Sequence, residues 1–219
     1  MNPDYIAKFW TADFEILADP LAAGLMLPLQ WLPFADCERG KRLHAFAPFA
    51  ERAFARMPET RKALLEATTD VYLVKIDKDI ALVVDRLVDG EVVSYKGFVP
   101  RAASRFGGTV GKFYNFIDGF CDFHSMGGLL PERDILPLGQ DGNEYLTEPS
   151  ASEFQSRKSH DYLHVFNSGG KGQGYVSHES TFTNAPDAML LWVDDDEPMV
   201  GMDFWDLFDS CTAIALSDY

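Results

Sequence analysis

Apolar residues at helical spacing predict a helix near each end of the chain. Asn2 and Pro3 form a favourable helix start, and apolar residues then recur every three or four positions up to Leu17. The pattern predicts one N-terminal helix that ends before Pro20. Asp203 is predicted to cap a C-terminal helix. The apolar face of that helix comprises Phe204, Leu207, Phe208, Cys211, Ile214 and Ala215.

Between these two helices, residues 45–67 also show helical periodicity, with an interruption at Met57-Pro58. The three segments 71–76, 80–87 and 91–99 are rich in β-branched and aromatic residues. Turn residues separate them, including an Asp-Gly pair at 89–90 that is a strong hairpin signal. An antiparallel meander is therefore predicted. The basic face of the preceding helical segment is interpreted as solvent-exposed surface: Arg52, Arg56, Arg61 and Lys62.

The second half of the chain alternates helix and strand patterns. Residues 102–120 predict a helix, 162–178 a hairpin, 189–193 an apolar strand and 199–202 an edge strand. Because these elements follow no regular β-α-β order, we predict the α+β class, with a mixed, mainly antiparallel sheet and flanking helices.

The composition is that of a folded protein. The chain has 219 residues, 47% of them hydrophobic and 13% aromatic, which suffices for one sizeable core. We predict a single domain over residues 1–219. Its N-terminal part, 1–70, is predicted to be helical, and 71–219 to hold the sheet, the middle helix and the C-terminal helix.

Negative charge dominates and is unevenly distributed. The net charge of −15 disfavours binding to nucleic acid and to anionic membranes, both of which need a basic surface. Residues 141–219 hold 15 acidic but only three basic side chains. This excess either serves solubility or forms an acidic face that steers a basic protein partner.

Cysteine content and the N-terminal sequence indicate a cytoplasmic protein. The three cysteines include no CxxC pair, so a disulfide framework is not implied. The N-terminal residues lack the basic and apolar regions of a secretory signal, and no apolar run approaches transmembrane length.

The stretch HVFNSGGKGQGYVSH, residues 164–178, raises the question of phosphate binding. A phosphate-cradling loop needs a helix after its glycines, because the helix N-terminus supplies aligned N–H groups. Here a β-prone segment follows, and Lys171 precedes Gly172 rather than Ser or Thr. We interpret the stretch as a hairpin whose glycines allow positive φ angles, and we predict no cofactor.

No combination of residues predicts a catalytic or metal site. Cys121 and His124 have metal-like spacing, yet a structural zinc site needs four ligands and no second pair lies nearby. They could form a nucleophile–base pair, but a small buried Cys121 is the simpler interpretation. The GxSxG motif, which carries the nucleophile of many serine hydrolases, is absent.

The order of several short motifs resembles the SUKH superfamily. The motifs comprise Tyr114 and the Ile117-Asp118-Gly119-Phe120 stretch, Gly128-Leu129-Leu130-Pro131, the glycine-rich hairpin, Leu191-Trp192-Val193, and Asp203-Phe204-Trp205 with Leu207 and Phe208. The family pattern has Asn where this chain has Asp118. Asp118-Gly119 follows an apolar helical stripe, so Gly119 is expected to take a left-handed position at the end of that helix. The match covers residues 100–215.

This resemblance implies a binding protein rather than an enzyme. Many bacterial members are immunity proteins that bind and neutralise a cognate secreted toxin, often a nuclease. Others are regulatory interaction modules, and that alternative stays open, as does an enzyme that uses the 164–178 loop or Cys121 and His124. We expect a basic toxin as the partner. Trp192 is expected to face the core. The expected partner-binding residues are His178, Glu179, Asp194, Asp195, Asp196 and Glu197.

Overall fold

The computed structural model describes most of the chain as helices, strands and short connections. The described residues are 1–10, 13–18, 25–100, 102–123, 127–138, 140, 161–168, 172–192 and 198–217. The α-helices within them are α1 (Pro3–Phe9), α2 (Arg39–Ala53), α3 (Pro58–Ala67), α4 (Gly108–Tyr114) and α5 (Phe204–Ser217). Short 3-10 helices span Leu29–Ala35, Glu132–Asp134 and Glu179–Phe182.

The strands form one antiparallel sheet in which spatial order follows chain order. Within the described ranges the sheet has ten strands, each paired with its neighbours in sequence. The predicted α+β class is therefore confirmed. The strands are β1 (Phe14–Ile16), β2 (Thr68–Ile76), β3 (Asp79–Val88), β4 (Glu91–Phe98), β5 (Asp118–Asp122), β6 (Gly127–Leu129), β7 (Tyr162–Ser168), β8 (Gly172–Ser177), β9 (Asp187–Trp192) and β10 (Met199–Asp203).

The predicted meander corresponds to β2, β3 and β4. Val74 pairs with Ala81, and Val84 pairs with Tyr95, so the register is antiparallel across all three strands. The turn between β3 and β4 is made by Asp89 and Gly90 with φ of 49° and 87°. Two successive positive φ angles suit the right-handed twist of the flanking strands, as the Asp-Gly pair predicts.

The N-terminal helix is shorter than predicted. Asn2 caps α1 as expected, with its Oδ1 accepting from the Tyr5 backbone N–H at 3.3 Å. The helix ends at Phe9, and Phe14–Ile16 forms β1 within the part predicted to be helical. The reason is tertiary, since the sheet edge at β2 supplies backbone hydrogen-bond partners to residues 14–16.

The middle helix is also shorter than predicted. It begins at Gly108, where φ is +51°, and ends at Tyr114, while residues 118–122 form β5 against β4. Gly119 takes the expected positive φ of 71°, but it does so inside β5 rather than at a helix end. Pairing with β4 outweighs the helical periodicity of 118–120, and Phe120 stacks on Tyr95 at 5.9 Å between ring centroids.

Apolar residues are buried on both faces of the first strands. Val71 and Leu73 of β2 belong to the main core, which the helices α2 to α5 cover. Their neighbours Tyr72 and Val74 belong to a second core beneath α1, together with Phe123. Side chains alternate between the faces of a strand, so the sheet is covered on both sides here. No helix within the described residues is long and apolar enough to span a membrane.

Helix α5 is tied to the N-terminal part of the chain. Its cap is confirmed, because Oδ1 of Asp203 accepts from the Trp205 N–H at 2.8 Å. Both carboxylate oxygens of Asp209 accept backbone N–H groups at the start of α3, from Glu59 at 2.9 Å and Thr60 at 2.7 Å. Ile214, predicted on the apolar face, is instead 61% exposed, because the buried face of the helix continues through Thr212 and Leu216.

Candidate functional site

Two of the expected partner-binding residues, His178 and Glu179, lie exposed in the loop between β8 and β9. The His178 ring contacts Phe182 edge to face, with 5.6 Å between ring centroids. Phe182 itself is 53% exposed. We refer to residues 178–185 as the β8–β9 loop. It places an aromatic ring, an imidazole and a carboxylate side by side at the surface.

Short-range hydrogen bonds hold this loop in one conformation. The buried Thr181 donates its hydroxyl to the His178 carbonyl at 2.6 Å, and Ser180 donates to the Ser177 carbonyl at 2.9 Å. The Thr109 N–H at the start of α4 donates to the Thr183 carbonyl at 3.1 Å. Gly108 permits this approach, because a Cβ there would lie 1.8 Å from the Thr183 oxygen.

The other four expected partner-binding residues, Asp194 to Glu197, lie outside the described residues. The preceding residue in the described chain, Trp192, was expected in the core and is 36% exposed. Its ring lies over Gly172 of the neighbouring strand, where a Cβ would come within 2.9 Å of the indole. The core prediction for Trp192 is therefore wrong, because the indole covers a glycine at the sheet surface.

A groove of about 660 Å³ lies beside the β8–β9 loop. Its walls come from the end of α2, the α2–α3 connection, α4, the β8–β9 loop and the start of α5. Three of the lining side chains are cationic and three are aromatic. The lining includes Arg52, Arg56, Lys112, Phe113, Phe116 and Trp205.

The sequence pattern predicts that two of these cations, Arg52 and Arg56, lie on a solvated helix face. Arg52 lies over the Phe116 ring, with the guanidinium carbon 5.0 Å from its centroid. Arg56 donates to the Asn184 carbonyl at 2.7 Å and so connects the α2–α3 region to the β8–β9 loop. Lys112 joins them from α4. The groove was missed because its residues are separated by up to 154 positions in the sequence, and no local pattern connects them.

Two of the motifs that carry the family resemblance contact each other. The Tyr114 hydroxyl donates to the Leu130 carbonyl at 2.9 Å, and Oδ1 of Asp118 accepts from the Glu132 N–H at 2.6 Å. Gly119 packs so closely on Pro131 that a Cβ would lie 2.5 Å from its nitrogen. Burial raises the pKa of Asp118 to about 6. These contacts hold β5 against the segment that follows β6. The residues of these two motifs therefore serve packing in this fold.

The glycine-rich stretch forms the predicted hairpin, with β7 before it and β8 after it. Gly169, Gly170 and Lys171 lie outside the described residues. Gly172 and Gly174 do not have positive φ, so the expected conformational role is wrong for these two. Glycine is needed at these two positions because a side chain would clash with neighbouring residues. A Cβ on Gly174 would lie 2.3 Å from the Phe208 ring, and Phe208 stacks on Phe166 in the core.

Of the residues Cys121 and His124, only Cys121 lies within the described part of the chain. Cys121 is 1% exposed in β5, where it lies on the sheet, and His124 is outside the described residues. Among the described residues, no group of three or more His, Cys, Asp or Glu side chains could hold a metal ion. His164 is buried, stacks on Tyr175 and has its Nε2 2.9 Å from Oδ1 of Asn167.

Comparison with protein-family models, with curated proteins and with solved structures finds no match to this chain.

Proposed function

We propose that this chain is an immunity protein of the SUKH type, which binds a cognate secreted toxin in the cytoplasm and neutralises it by occlusion. The observation that carries the proposal is the β8–β9 loop, which holds His178, Glu179 and Phe182 exposed on a fixed backbone. Exposed aromatic residues on preorganised backbone are typical anchors of protein interfaces, because little conformational entropy is lost when they bind. The order of the SUKH-like motifs along the sequence supports the same class of protein.

The charge distribution supports a basic partner. Residues 141–219 contain 15 acidic and three basic side chains, and the exposed Glu179 belongs to this acidic part. Complementary charge accelerates the encounter of two proteins and disfavours partners of the wrong sign. Carboxylates can also imitate phosphate groups toward a nuclease, so a toxin that acts on nucleic acid fits this surface.

A regulatory interaction module is the second candidate, since the same loop would serve a partner that is not a toxin. The two candidate functions differ in whether the chain protects a cell from a toxin. An immunity protein must restore growth to cells that express the toxin encoded beside its gene, whereas a regulatory module has no such effect.

The test combines growth rescue with direct binding. The neighbouring candidate toxin is expressed in a sensitive bacterial host with this chain, and rescue of growth is measured. Binding of the purified pair is then measured for the chain and for a Phe182→Ala variant. We expect rescue by the unaltered chain and on the order of tenfold weaker binding by the variant, because an aromatic anchor that the complex would bury is lost.

Leu87→Ala provides a matched control. Leu87 is 50% exposed, similar to Phe182, but it lies on β3, outside the β8–β9 loop. Its removal should leave binding unchanged. Equal weakening by both variants, or rescue without any direct binding, would contradict the proposal.

A further inference from the structure

The groove between α2, α4 and α5 has the size and lining of a small-molecule site. Its volume of about 660 Å³ lies in the range of ligand pockets, roughly 300–1,000 Å³. Such pockets combine an apolar body with a small number of polar groups that orient the ligand. Here the apolar part is supplied by Phe113, Phe116 and Trp205.

The aromatic floor is held in place by its own contacts. Trp205 is 4% exposed and donates its indole N–H to the Thr109 hydroxyl at 2.8 Å. Its ring packs against Phe113 with 5.9 Å between centroids. The polar atom of the indole is therefore satisfied within the protein, and the small part of the ring that faces the groove can contact a ligand without leaving an unpaired donor.

The cations at the groove are not neutralised by neighbouring carboxylates. In the part of the chain that the structure describes, no ion pair involves Arg52, Arg56 or Lys112. This is notable in a protein with a net charge of −15, where acidic side chains outnumber basic ones by 34 to 19. Glu51 is the one carboxylate among the described lining residues.

From this combination we propose that the groove binds a small organic acid with a flat apolar body. The body would pack against the groove-facing parts of Phe113 and Trp205, beside the Phe116 ring that Arg52 covers, and its acidic group would accept hydrogen bonds from Arg52 and Lys112. Charge-assisted hydrogen bonds are stronger than neutral ones, so the cations would select an anion over a neutral molecule of the same shape. This inference is independent of the proposed toxin partner.

A matched pair of probes tests the inference by isothermal titration calorimetry. The first is 1-naphthalenesulfonate, which has a flat aromatic body and a negative charge, and the second is the neutral 1-naphthalenemethanol. The sulfonate is expected to bind with one site per chain and at least about tenfold more tightly than the alcohol. Added salt should weaken only the binding of the sulfonate.

Variants of exposed charges locate the site without disturbing the core. The double variant Arg52→Gln/Lys112→Gln should weaken sulfonate binding on the order of tenfold, and Glu51→Gln should strengthen it by a few fold. Lys62→Gln is the control, since Lys62 is an exposed cation on α3 that does not line the groove. Circular dichroism melting curves show whether each variant remains folded.

Three results would overturn the inference. They are equal affinity for the two probes, equal weakening by the control and the groove variant, and absence of sulfonate binding at millimolar concentration. If an acidic peptide containing aromatic residues bound through Arg52 and Lys112 while the sulfonate did not, the groove would be a peptide site, and the small-molecule assignment would be wrong.

Discussion

Arg42 of α2 and Asp70 of β2 form an ion pair inside the fold. Nη2 of Arg42 lies 2.8 Å from Oδ1 of Asp70, and the two side chains are 4% and 6% exposed. The same guanidinium donates to the Val71 carbonyl at 2.6 Å and to the carbonyls of Asp36 and Cys37. One side chain therefore satisfies several polar groups between α2 and the sheet.

Replacement of Arg42 by Leu should destabilise the protein by about 3–5 kcal/mol, because three backbone carbonyls lose their donor and, among the described residues, the buried Asp70 keeps only the α-amino group of Met1, at 2.9 Å, as a charged partner. The measurement is urea unfolding followed by circular dichroism. Arg39→Leu is the matched control. Arg39 lies on the same helix, is exposed and donates to the Thr69 carbonyl, so its loss should cost less than about 1 kcal/mol. Equal costs would contradict the assigned role of Arg42.

Asp118 predicts a pH dependence of stability. Burial raises its pKa in the folded state from 3.8 to about 6, so the folded protein holds a proton that the unfolded chain has already lost between these values. Its contribution is therefore largest below about pH 4 and is lost as the pH rises to about 6.

Asp118→Asn, which introduces the residue of the family pattern, should remove this part of the pH dependence. It should also stabilise the protein at pH 7 by about 1–2 kcal/mol, because Asn still accepts the Glu132 N–H without carrying a charge. Unfolding free energies at pH 4, 5, 6 and 7 provide the measurement. The exposed Asp134 is the control, and an identical result for Asp134→Asn would rule out a specific effect of Asp118.

Gly174 is expected to tolerate no side chain. In Gly174→Ala the new Cβ would meet the Phe208 ring at 2.3 Å and Phe166 Cβ at 3.0 Å, which should cost about 1–3 kcal/mol through overpacking. Gly40→Ala is the control, since nothing lies within 4 Å of a Cβ there and α2 should gain about 0.5–1 kcal/mol. Thermal unfolding compares the two, and changes of the same sign would contradict the packing role of Gly174.

The acidic run predicts a kinetic effect on the proposed toxin complex. Conversion of Asp194, Asp195, Asp196 and Glu197 to Asn or Gln should slow association at low salt and flatten its salt dependence, because steering is screened beyond about 8–10 Å at physiological salt. Surface plasmon resonance at several salt concentrations measures both effects. The control neutralises four exposed carboxylates elsewhere: Asp4, Glu15, Glu66 and Glu91. An unchanged association rate would mean that the partner docks on another surface.

The elements that the sequence predicts well are those specified by local signals. The Asp89-Gly90 turn, the Asn2 cap and the Asp203 cap each rely on neighbours within a few residues, and all three are confirmed. Strands β1 and β5 were predicted as helix, since their residues adopt strand conformation only against β2 and β4. Periodicity alone contains no information about such a partner.

The candidate sites also divide into features that local sequence indicates and features that only tertiary contacts reveal. His178 and Glu179 were singled out from the sequence because they lie in a turn next to a recognised hairpin, and both are exposed. The buried Lys96 was not, although its Nζ donates to the Asp122 carbonyl and lies 4.8 Å from the ring centroids of both Trp10 and Phe123. A lysine in a strand is normally exposed, and only tertiary contacts identify one that is enclosed by aromatic rings.

The order of the strands has a consequence for synthesis on the ribosome. Because every strand pairs with its sequence neighbours, β2, β3 and β4 can form hairpins as soon as they emerge. The packing of helix α3 is completed later, because the Asp209 carboxylate that accepts its first N–H groups is synthesised about 150 residues later. Until then the apolar side of α3 lacks its cover, so a nascent chain stalled before residue 204 should be the species that chaperones retain.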